Sequence, residues 1–519
     1  MLSKTYSYGL NGLDTYLIDI EVDVSFGLPA TRIVGLPDNA IRESKERVRA
    51  AIKNSGYDYK PRRITINLSP ADIKKEGPSF ELAMAIGVLI ATEQITFHNT
   101  EQFIFLGELS LDGNIRSVNG ILPIILSINK KQSINLIIPD SNQSEASIVD
   151  DIPIFPVKNL NEVIHLLSIS DEERAKQKLV PKKFFAFKTS ESSIDFSDVK
   201  GQLAVKRGLE IAAAGQHNCL LLGPPGSGKS MLAKRIPTIL PDMSKEEAIE
   251  ATKIHSIMGL LPSKRGLIST RPFRSPHHTS SDIAIVGGGS NPKPGEVTLS
   301  HNGVLFLDEL PEFTRNVLEA LRQPLEDNTV TISRATRTVK FPAKFMLVAS
   351  MNPCPCGQYN NPYKECRCSS QQIHRYMNKI SGPLLDRIDI HLEVPPVPTR
   401  DLIHMPKSED SSSIKKRTIA ARKIQYDRFA NSNNTQNNTF ANAHMSSAQL
   451  KQFCKLSKEA QDILEKAIDE IGLSARGHDK ILKVSRTIAD LDEKENIEKT
   501  HIMEALQYRC LDRKWGEFM

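Results

Sequence analysis

The sequence predicts an α/β multidomain chain: an α/β or α+β front domain, a parallel-sheet core and a helical C-terminal region. Three observations carry that reading. At 519 residues the chain exceeds what one core can serve, which sets a prior of about three to four domains. Short β-type runs alternate with helical stretches through residue 395. Beyond that point apolar residues recur mainly at helical spacing.

Composition narrows the function classes. With 39% hydrophobic and 25% charged residues the chain buries ordinary cores and is too apolar for wholesale disorder. No stretch approaches the length of a membrane span. The N-terminus, MLSKTYSYGLNGLDTYLIDIEV, lacks a basic start, an apolar core and a small-residue cleavage site. The expectation is a soluble cytoplasmic protein with no membrane partner. Seven cysteines are too few for a secreted disulfide scaffold, and four of them lie together between 354 and 368, which points to metal. The net charge of +6 permits an anionic partner without demanding one.

In chain order, residues 1–168 hold the runs TYLIDIEVDV, RITINL, FIFLGEL and INLIIP, with helical patterns at 38–54 and 80–93. Residues 169–194, ISDEERAKQKLVPKKFFAFKTSESSI, are polar and aperiodic and read as a linker. Residues 195–395 contain LLLGPPGSGKS, GVLFLDEL and KFMLVASMNP separated by helices, as a parallel sheet requires. Residues 396–519 open on a proline-rich and then serine-rich joint. Helices follow at 415–429 and 458–510, the latter with Ile463, Leu464, Ala467, Ile468 and Ile471 at helical spacing. The tract NSNNTQNNT reads as a surface loop, and there is no internal repeat.

The glycine turn Gly223, Pro224, Pro225, Gly226, Ser227, Gly228, Lys229, Ser230 matches GxxxxGK[ST], with an apolar strand before it and a helix after it. Glycines let backbone amides curl around a phosphate, Lys229 reaches the outer oxygens and Ser230 ligates magnesium, so ATP and Mg2+ are the expected cofactors. Asp308, after the apolar run Val304–Leu307, is placed to hold magnesium through water, and Glu309 to polarise the attacking water. Asn352 follows FMLVAS and either orients that water or simply starts a turn before Pro353. Arg387, between Asp386 and Asp389, is either half of an intramolecular ion pair or an arginine finger reaching a neighbouring subunit's ATP. Arg476 follows Ser474, a plausible N-cap, so its cation sits at the positive end of a helix dipole, a cost that a phosphate relieves.

The order Lys229, Asp308–Glu309, Asn352, Arg387, Arg476 resembles the Walker A, Walker B, sensor 1, arginine finger and sensor 2 of AAA+ ATPases of the magnesium-chelatase group. The strings RPFRSPHHTSSDIAIVGGG, PKPGEVTLSHNGVLFLDELPEF, SGPLLDRIDIHLEV and LSARGHDKILKVSRTIADL resemble the ComM/YifB family over nearly the whole chain. The resemblance implies a P-loop AAA+ core with a helical C-terminal lid. It also implies a homo-hexameric ring motor and a DNA helicase that promotes branch migration while transforming DNA is integrated. The implied partners are single-stranded or branched DNA and recombination proteins. The rival reading is a chelatase-type subunit that remodels a protein partner.

Such families carry a front domain similar to the Lon protease domain. The match here is LSPADIKKEGPSFELAMAIGVL followed by FLGELSLDGNIRSVNGILPI. Ser79 takes the nucleophile position, but Leu122 stands where the lysine base belongs, so the Ser–Lys arrangement is broken and the domain is expected to be inactive. Lys74, Lys75, Lys130 and Lys131 are the conceivable relocated bases.

Cys354, Cys356, Cys366 and Cys368 can complete a tetrahedral zinc site, which would close a loop too short and polar to fold by packing. The competing reading is four reduced surface cysteines. Cys219, Cys454 and Cys510 stand alone. For DNA, the cations at 264–278 (Lys264, Arg265, Arg271, Arg274, with His277 and His278) and the arms around Arg334 and Arg337 in TVTISRATRTVK are candidates, either as phosphate contacts or as a solvated face. Aromatic stacking partners are sparse, which favours backbone tracking over base readout.

Overall fold

The computed structural model describes residues 2–511 apart from 129–133, 151, 182–193, 263–265, 290, 335–336, 397–407, 431–440, 472–473 and 510. The asparagine-rich tract, most of the proline-rich joint, Lys130, Lys131, Lys264, Arg265, Cys510 and the side chain of Arg337 lie outside the described residues. Contacts divide the chain into two units: Met1–Lys188 with Lys245–Ser269, and Thr189–Ser244 with Thr270–Met519.

The first unit is built on a seven-stranded mixed sheet in the order Ala30–Val34, Arg63–Ser69, Asp14–Ser25, Leu2–Asn11, Phe103–Phe105, Asn135–Pro139, Ile154–Val157. Leu2–Asn11 and Asp14–Ser25 form an antiparallel hairpin with Leu2 opposite Asp23. Phe103–Phe105 runs parallel to both of its neighbours. Period-two burial along Asp14–Ser25 sends Ile18, Ile20 and Val22 into the core. The helix Glu81–Ala91, ELAMAIGVLIA, is buried along its whole length. Gly87 lets it sit close to the sheet, because a Cβ there would meet Val22 Cγ2 at 2.8 Å. The strand hydroxyls of Ser3 and Thr5 donate to its Gly87 and Ala83 carbonyls at 2.7 and 3.0 Å.

Two segments fold otherwise than the sequence suggests. The expected linker begins with a helix, Asp171–Lys176, closed by a capping box between Ser170 and Glu173. Arg174 of that helix donates to the Leu166 and Ile169 carbonyls and lies 5.1 Å from the Phe103 ring centroid. A charged residue that buries its stem this way is not visible in composition. Residues 245–269, expected in the core, belong to the first unit: within the helix Lys245–Ile257, Ser256 donates to the buried Glu145 carboxylate, which also accepts from the Leu122 amide at 2.8 Å.

The second unit carries the expected parallel sheet, in the order Phe273–Arg274, Val304–Leu307, Met346–Met351, Cys219–Leu222, Ile390–Glu393. The first strand in sequence lies between the last two, so the chain reverses its direction of winding there. Such a switch point leaves a crevice at the strands' carboxyl ends. Helices Leu203–Gly215, Lys229–Ile239, Ser411–Ala430, Ala475–Leu491 and Lys499–Gln507 contribute to one apolar cluster with the sheet, including Leu209, Leu232, Ile414, Ile481, Ile488 and Val348. The C-terminal helices therefore share a core with the sheet. Of the apolar positions read from the sequence, Leu464 and Ala467 are in that cluster and Ile463 and Ile468 pack against it.

Candidate nucleotide site and its surroundings

The strand Cys219–Leu222 is wholly buried and delivers the chain into the turn Gly223–Gly228, from which the helix Lys229–Ile239 starts. Gly226 and Gly228 have φ of +76° and +90°, and a Cβ at either would meet nothing within 4 Å, so glycine is needed here for backbone conformation and not for space. The Lys229 ammonium donates to the Gly223 and Pro224 carbonyls at 2.7 and 2.9 Å and to Asn352 Oδ1 at 3.2 Å. Burial holds its pKa below the ordinary lysine value, an effect that Asp308 and Glu309 oppose. All three acceptors are neutral, so they leave the ammonium charge uncompensated.

Ser230 Oγ donates to Asp308 Oδ2 at 2.7 Å, and Ser350 Oγ donates to Asp308 Oδ1. Hard oxygens from a hydroxyl and a carboxylate, already adjacent, form the donor set that magnesium takes. Glu309 follows with φ of +54°, a left-handed backbone conformation uncommon outside glycine and asparagine and typical of functional sites. Lys229, Ser230, Asp308, Glu309, Ser350 and Asn352 line one cavity of about 360 Å³ with Pro225–Gly228. The sequence reading missed Ser350, although a lone hydroxyl in the apolar strand Met346–Met351 was a usable signal.

Arg387 and Arg476 do not line that cavity. Both guanidinium groups meet Glu326, Arg387 through Nη2 and Arg476 through Nη2 at 3.3 Å, in a separate cleft of about 290 Å³ that Lys480, Lys483 and Asp389 also line. Arg387 thus has an intramolecular acidic partner, Glu326, which is neither of the flanking aspartates. Ser474 does cap the helix Ala475–Leu491, accepting from the Gly477 amide at 3.1 Å.

The four clustered cysteines converge. Their Sγ atoms lie within 4.8 Å of one another, with Cys354 to Cys356, Cys356 to Cys366 and Cys354 to Cys366 at 3.4, 3.6 and 3.7 Å. A tetrahedral zinc with bonds of about 2.3 Å separates its sulfurs by about 3.8 Å, so the thiols fit the ion. Amides of Gln358 and Arg367 pull the Cys356 thiol down to about 6, toward the thiolate that zinc binds, whereas burial pushes the Cys354 thiol up. The loop rests on the phosphate-binding turn, since a Cβ on Gly357 would meet Pro225 Cδ at 2.4 Å.

The DNA candidates separate. Arg334 ends the strand Thr329–Arg334, opposite Arg337 at the turn of an antiparallel hairpin, and is exposed, with Nε donating to the Gly289 carbonyl at 3.2 Å. Arg274 is engaged within the chain by a two-point pair with Glu296 at 2.5 and 2.7 Å, and Arg271 donates to the Pro241 and Asn302 carbonyls. His278, read from sequence as a solvent or DNA contact, instead places Nδ1 3.7 Å from Glu309 Oε2.

In the first unit Leu122 is fully buried in the helix Ile121–Ser127. The Lys75 amine is buried with no hydrogen-bond partner, so it does not hold Ser79, and Lys74 pairs with Glu76 at 3.4 Å. Among the described residues no helix is long and apolar enough to cross a membrane.

Residues 195–402 match the family model of the magnesium chelatase subunit ChlI, residues 20–142 a second ChlI model and residues 408–509 the ChlI C-terminal model. The chain is 43% identical to the competence protein ComM of Haemophilus influenzae over 515 residues, 99% of this chain and 98% of that one. It is 42% identical to the protein YifB of Escherichia coli over 513 residues, with the same coverage. Lon protease 2 of Bacillus subtilis is 30% identical over 178 residues, 30% of this chain and 32% of that one. End-to-end similarity at this level, with the chelatase-type core and C-terminal region in the same order, shows that the chain belongs to the ComM/YifB family of magnesium chelatase-like AAA+ proteins.

Proposed function

We propose that the chain is an ATP-hydrolysing ring motor that moves DNA strands: a cytoplasmic homo-hexameric helicase promoting branch migration in recombination or natural transformation. One observation carries the proposal. The phosphate-binding cavity gathers Lys229, Ser230, Asp308, Glu309 and Asn352, whereas Arg387 and Arg476 converge elsewhere, on Glu326. A second subunit that presents its arginines to this cavity would complete a transition-state clamp, which makes hydrolysis an interface property.

In this reading the amides of Gly223–Ser230 and the Lys229 ammonium bind the phosphates. Ser230 and Asp308 would hold magnesium, which would supply charge neutralisation. Glu309 takes up the proton of the attacking water, and Asn352 orients that water. Cys354, Cys356, Cys366 and Cys368 would hold zinc, which would fix the loop beside Asn352. The hairpin carrying the exposed Arg334, with Arg337 opposite it in register, meets DNA phosphates, and Arg274 is paired with Glu296 in the free chain. The first unit, whose Ser79 has no lysine partner among the described residues, serves as a scaffold for ring assembly or DNA contact. Recombination proteins are further partners.

The test is ATPase rate with and without branched DNA, then migration of a synthetic Holliday junction, for wild type and Arg334→Ala/Arg337→Ala. The double variant is expected to lose migration while keeping DNA-free hydrolysis. Its log–log salt dependence of binding should flatten by up to about two units, one per lost phosphate contact. Wild-type protein that hydrolyses ATP but neither binds nor moves the junction would favour the chelatase-type remodelling of a protein partner.

A further inference from the structure

Arg387 and Arg476 come from different elements yet reach one carboxylate, and a second contact lies behind them. Arg387 precedes the strand Ile390–Glu393, and Arg476 lies in the first turn of the helix Ala475–Leu491; both meet Glu326. Two residues beyond Arg387, Asp389 Oδ1 lies 3.0 Å from the Lys480 ammonium, and these two side chains are 10% and 13% exposed. Lys480 is about one helical turn beyond Arg476, on the same face of its helix. The buried pair therefore ties together the two segments that carry the arginines.

The Arg387 segment is also pinned to the sheet. Asn218, the residue before the strand Cys219–Leu222, donates from Nδ2 to the Arg387 carbonyl at 3.0 Å and from its amide to Asp389 Oδ2 at 3.1 Å. The Asn218 carbonyl accepts from the Asp389 and Ile390 amides at 2.9 and 3.0 Å, and the Ile388 carbonyl accepts from Arg509 Nη1 at 2.7 Å. His217 Nδ1 stands 3.4 Å from Asp389 Oδ2, and its Nε2 meets Thr487 Oγ1, far along the arginine-bearing helix, at 2.8 Å. These bonds hold the backbone of 387–390. The Asp389–Lys480 pair adds the placement of the helix's first two turns against it.

We propose that Asp389 and Lys480 are positioning residues: their pair sets Arg387 and Arg476 at the separation at which both guanidinium groups close on one phosphate, that of the ATP held by a neighbouring subunit. Glu326, an anion that both already meet, marks the geometry in which the two converge on a single group. The proposal rests on the reading of Arg387 as acting across the subunit interface. Loss of the pair leaves both arginines present but misplaced, which lowers kcat more than it raises KM. A merely structural role has a different signature. Through Asn218 the same network adjoins the strand that leads into the phosphate-binding turn, so structural damage would fall on the subunit's own nucleotide cavity, whereas misplaced arginines damage the neighbour's hydrolysis.

The experiment measures kcat and KM for ATP for Lys480→Met, alone and in verified mixed rings with Lys229→Ala or with Arg387→Ala. Methionine keeps the length of the side chain and removes its charge, and Asp389 retains the Asn218 amide and His217. Alone, Lys480→Met should lose about ten- to a hundredfold in kcat with KM little changed. Mixed equally with Lys229→Ala it should recover to about a quarter of wild type, because its intact pocket then meets intact, correctly placed arginines. Mixed with Arg387→Ala it should stay at the average of the two parents, since both lesions lie on the same side of the interface. Lys480→Arg, which keeps the cation, should restore most of the lost kcat. A wild-type kcat for Lys480→Met, or a mixture with Lys229→Ala that stays at the average of its parents, overturns the proposal, and so does recovery with Arg387→Ala. If Lys480→Met does not assemble, Lys480→Gln, whose amide can still donate to Asp389, is read in the same mixtures. Failure of the underlying reading shows separately, as Lys229→Ala and Arg387→Ala subunits that do not repair each other, and it overturns the role in trans as well.

Discussion

If Arg387 acts on the ATP of a neighbouring subunit, two inactive variants must repair each other. Lys229→Ala removes the ammonium from the phosphate-binding cavity and leaves Arg387 intact. Arg387→Ala does the reverse, because Arg387 lies in the other cleft on Glu326. Rings of either variant alone lack a complete interface, and loss of an arginine finger costs roughly a thousandfold or more in rate. In rings assembled from an equal mixture, a complete interface needs an Arg387→Ala pocket beside a Lys229→Ala finger. With one half probability for each, about a quarter of the head-to-tail interfaces qualify, whatever the ring size. The mixture should therefore recover up to about a quarter of wild-type ATPase, far above either parent. Folding should not confound the result. The Arg387–Glu326 pair is partly exposed on the glutamate side, where such pairs contribute about 0–1 kcal/mol, and Arg476 remains to face Glu326. The assay is steady-state phosphate release over a range of mixing ratios, with mixed assembly verified by differently tagged subunits. A rate that stays at the average of the two parents in verified mixed rings refutes the trans assignment.

Three further outcomes are expected. Lys229→Ala should weaken nucleotide binding, whereas Glu309→Gln should bind ATP normally and stop turnover, as separate binding and hydrolysis assays would show. Purified protein should carry about one zinc per chain by elemental analysis, and Cys366→Ser should lose it; metal below about a tenth of an equivalent, in protein prepared without chelators, would defeat the zinc reading. Asp490→Ala should destabilise the second unit by about 3–5 kcal/mol, measured by urea unfolding. It takes the carboxylate from Arg486, which is 1% exposed and donates to Asp490 Oδ1 at 3.1 Å, leaving it only the Lys494 and Glu495 carbonyls, and it also removes the acidic partner of Arg428. An unchanged unfolding midpoint would show that neighbouring carbonyls satisfy those cations unaided.

Much of the nucleotide site was legible because its residues are local in sequence. The turn Gly223–Ser230 needs glycine at positive φ and a lysine at the mouth of a helix, and the run Val304–Leu307 needs burial before its two acids. These are properties of short segments, and they announce themselves at fixed spacing. The parallel sheet was legible for a similar reason, since fully buried strands read as continuous apolar runs. The cysteines at 354–368 likewise declared their number and proximity along the chain. Only the tertiary structure decided that their sulfurs meet within one ion's coordination sphere, and that the loop carrying them presses on Pro225.

What stayed hidden depends on partners far apart in sequence. Nothing near Arg387 or Arg476 indicates that both meet Glu326, nothing near His278 points to Glu309, and Arg274 gives no local sign that Glu296 neutralises it. Residues 245–269 lie within the core's stretch of sequence yet join the first unit, and the polar segment after Ile169 folds because Arg174 finds carbonyls and a ring to cover. Local sequence determines which backbone conformations and which chemical groups are available. The pairing of charges depends on distances that only the packed chain sets, because a Coulomb or hydrogen-bond interaction is decided over a few ångströms and sequence separation carries no information at that scale.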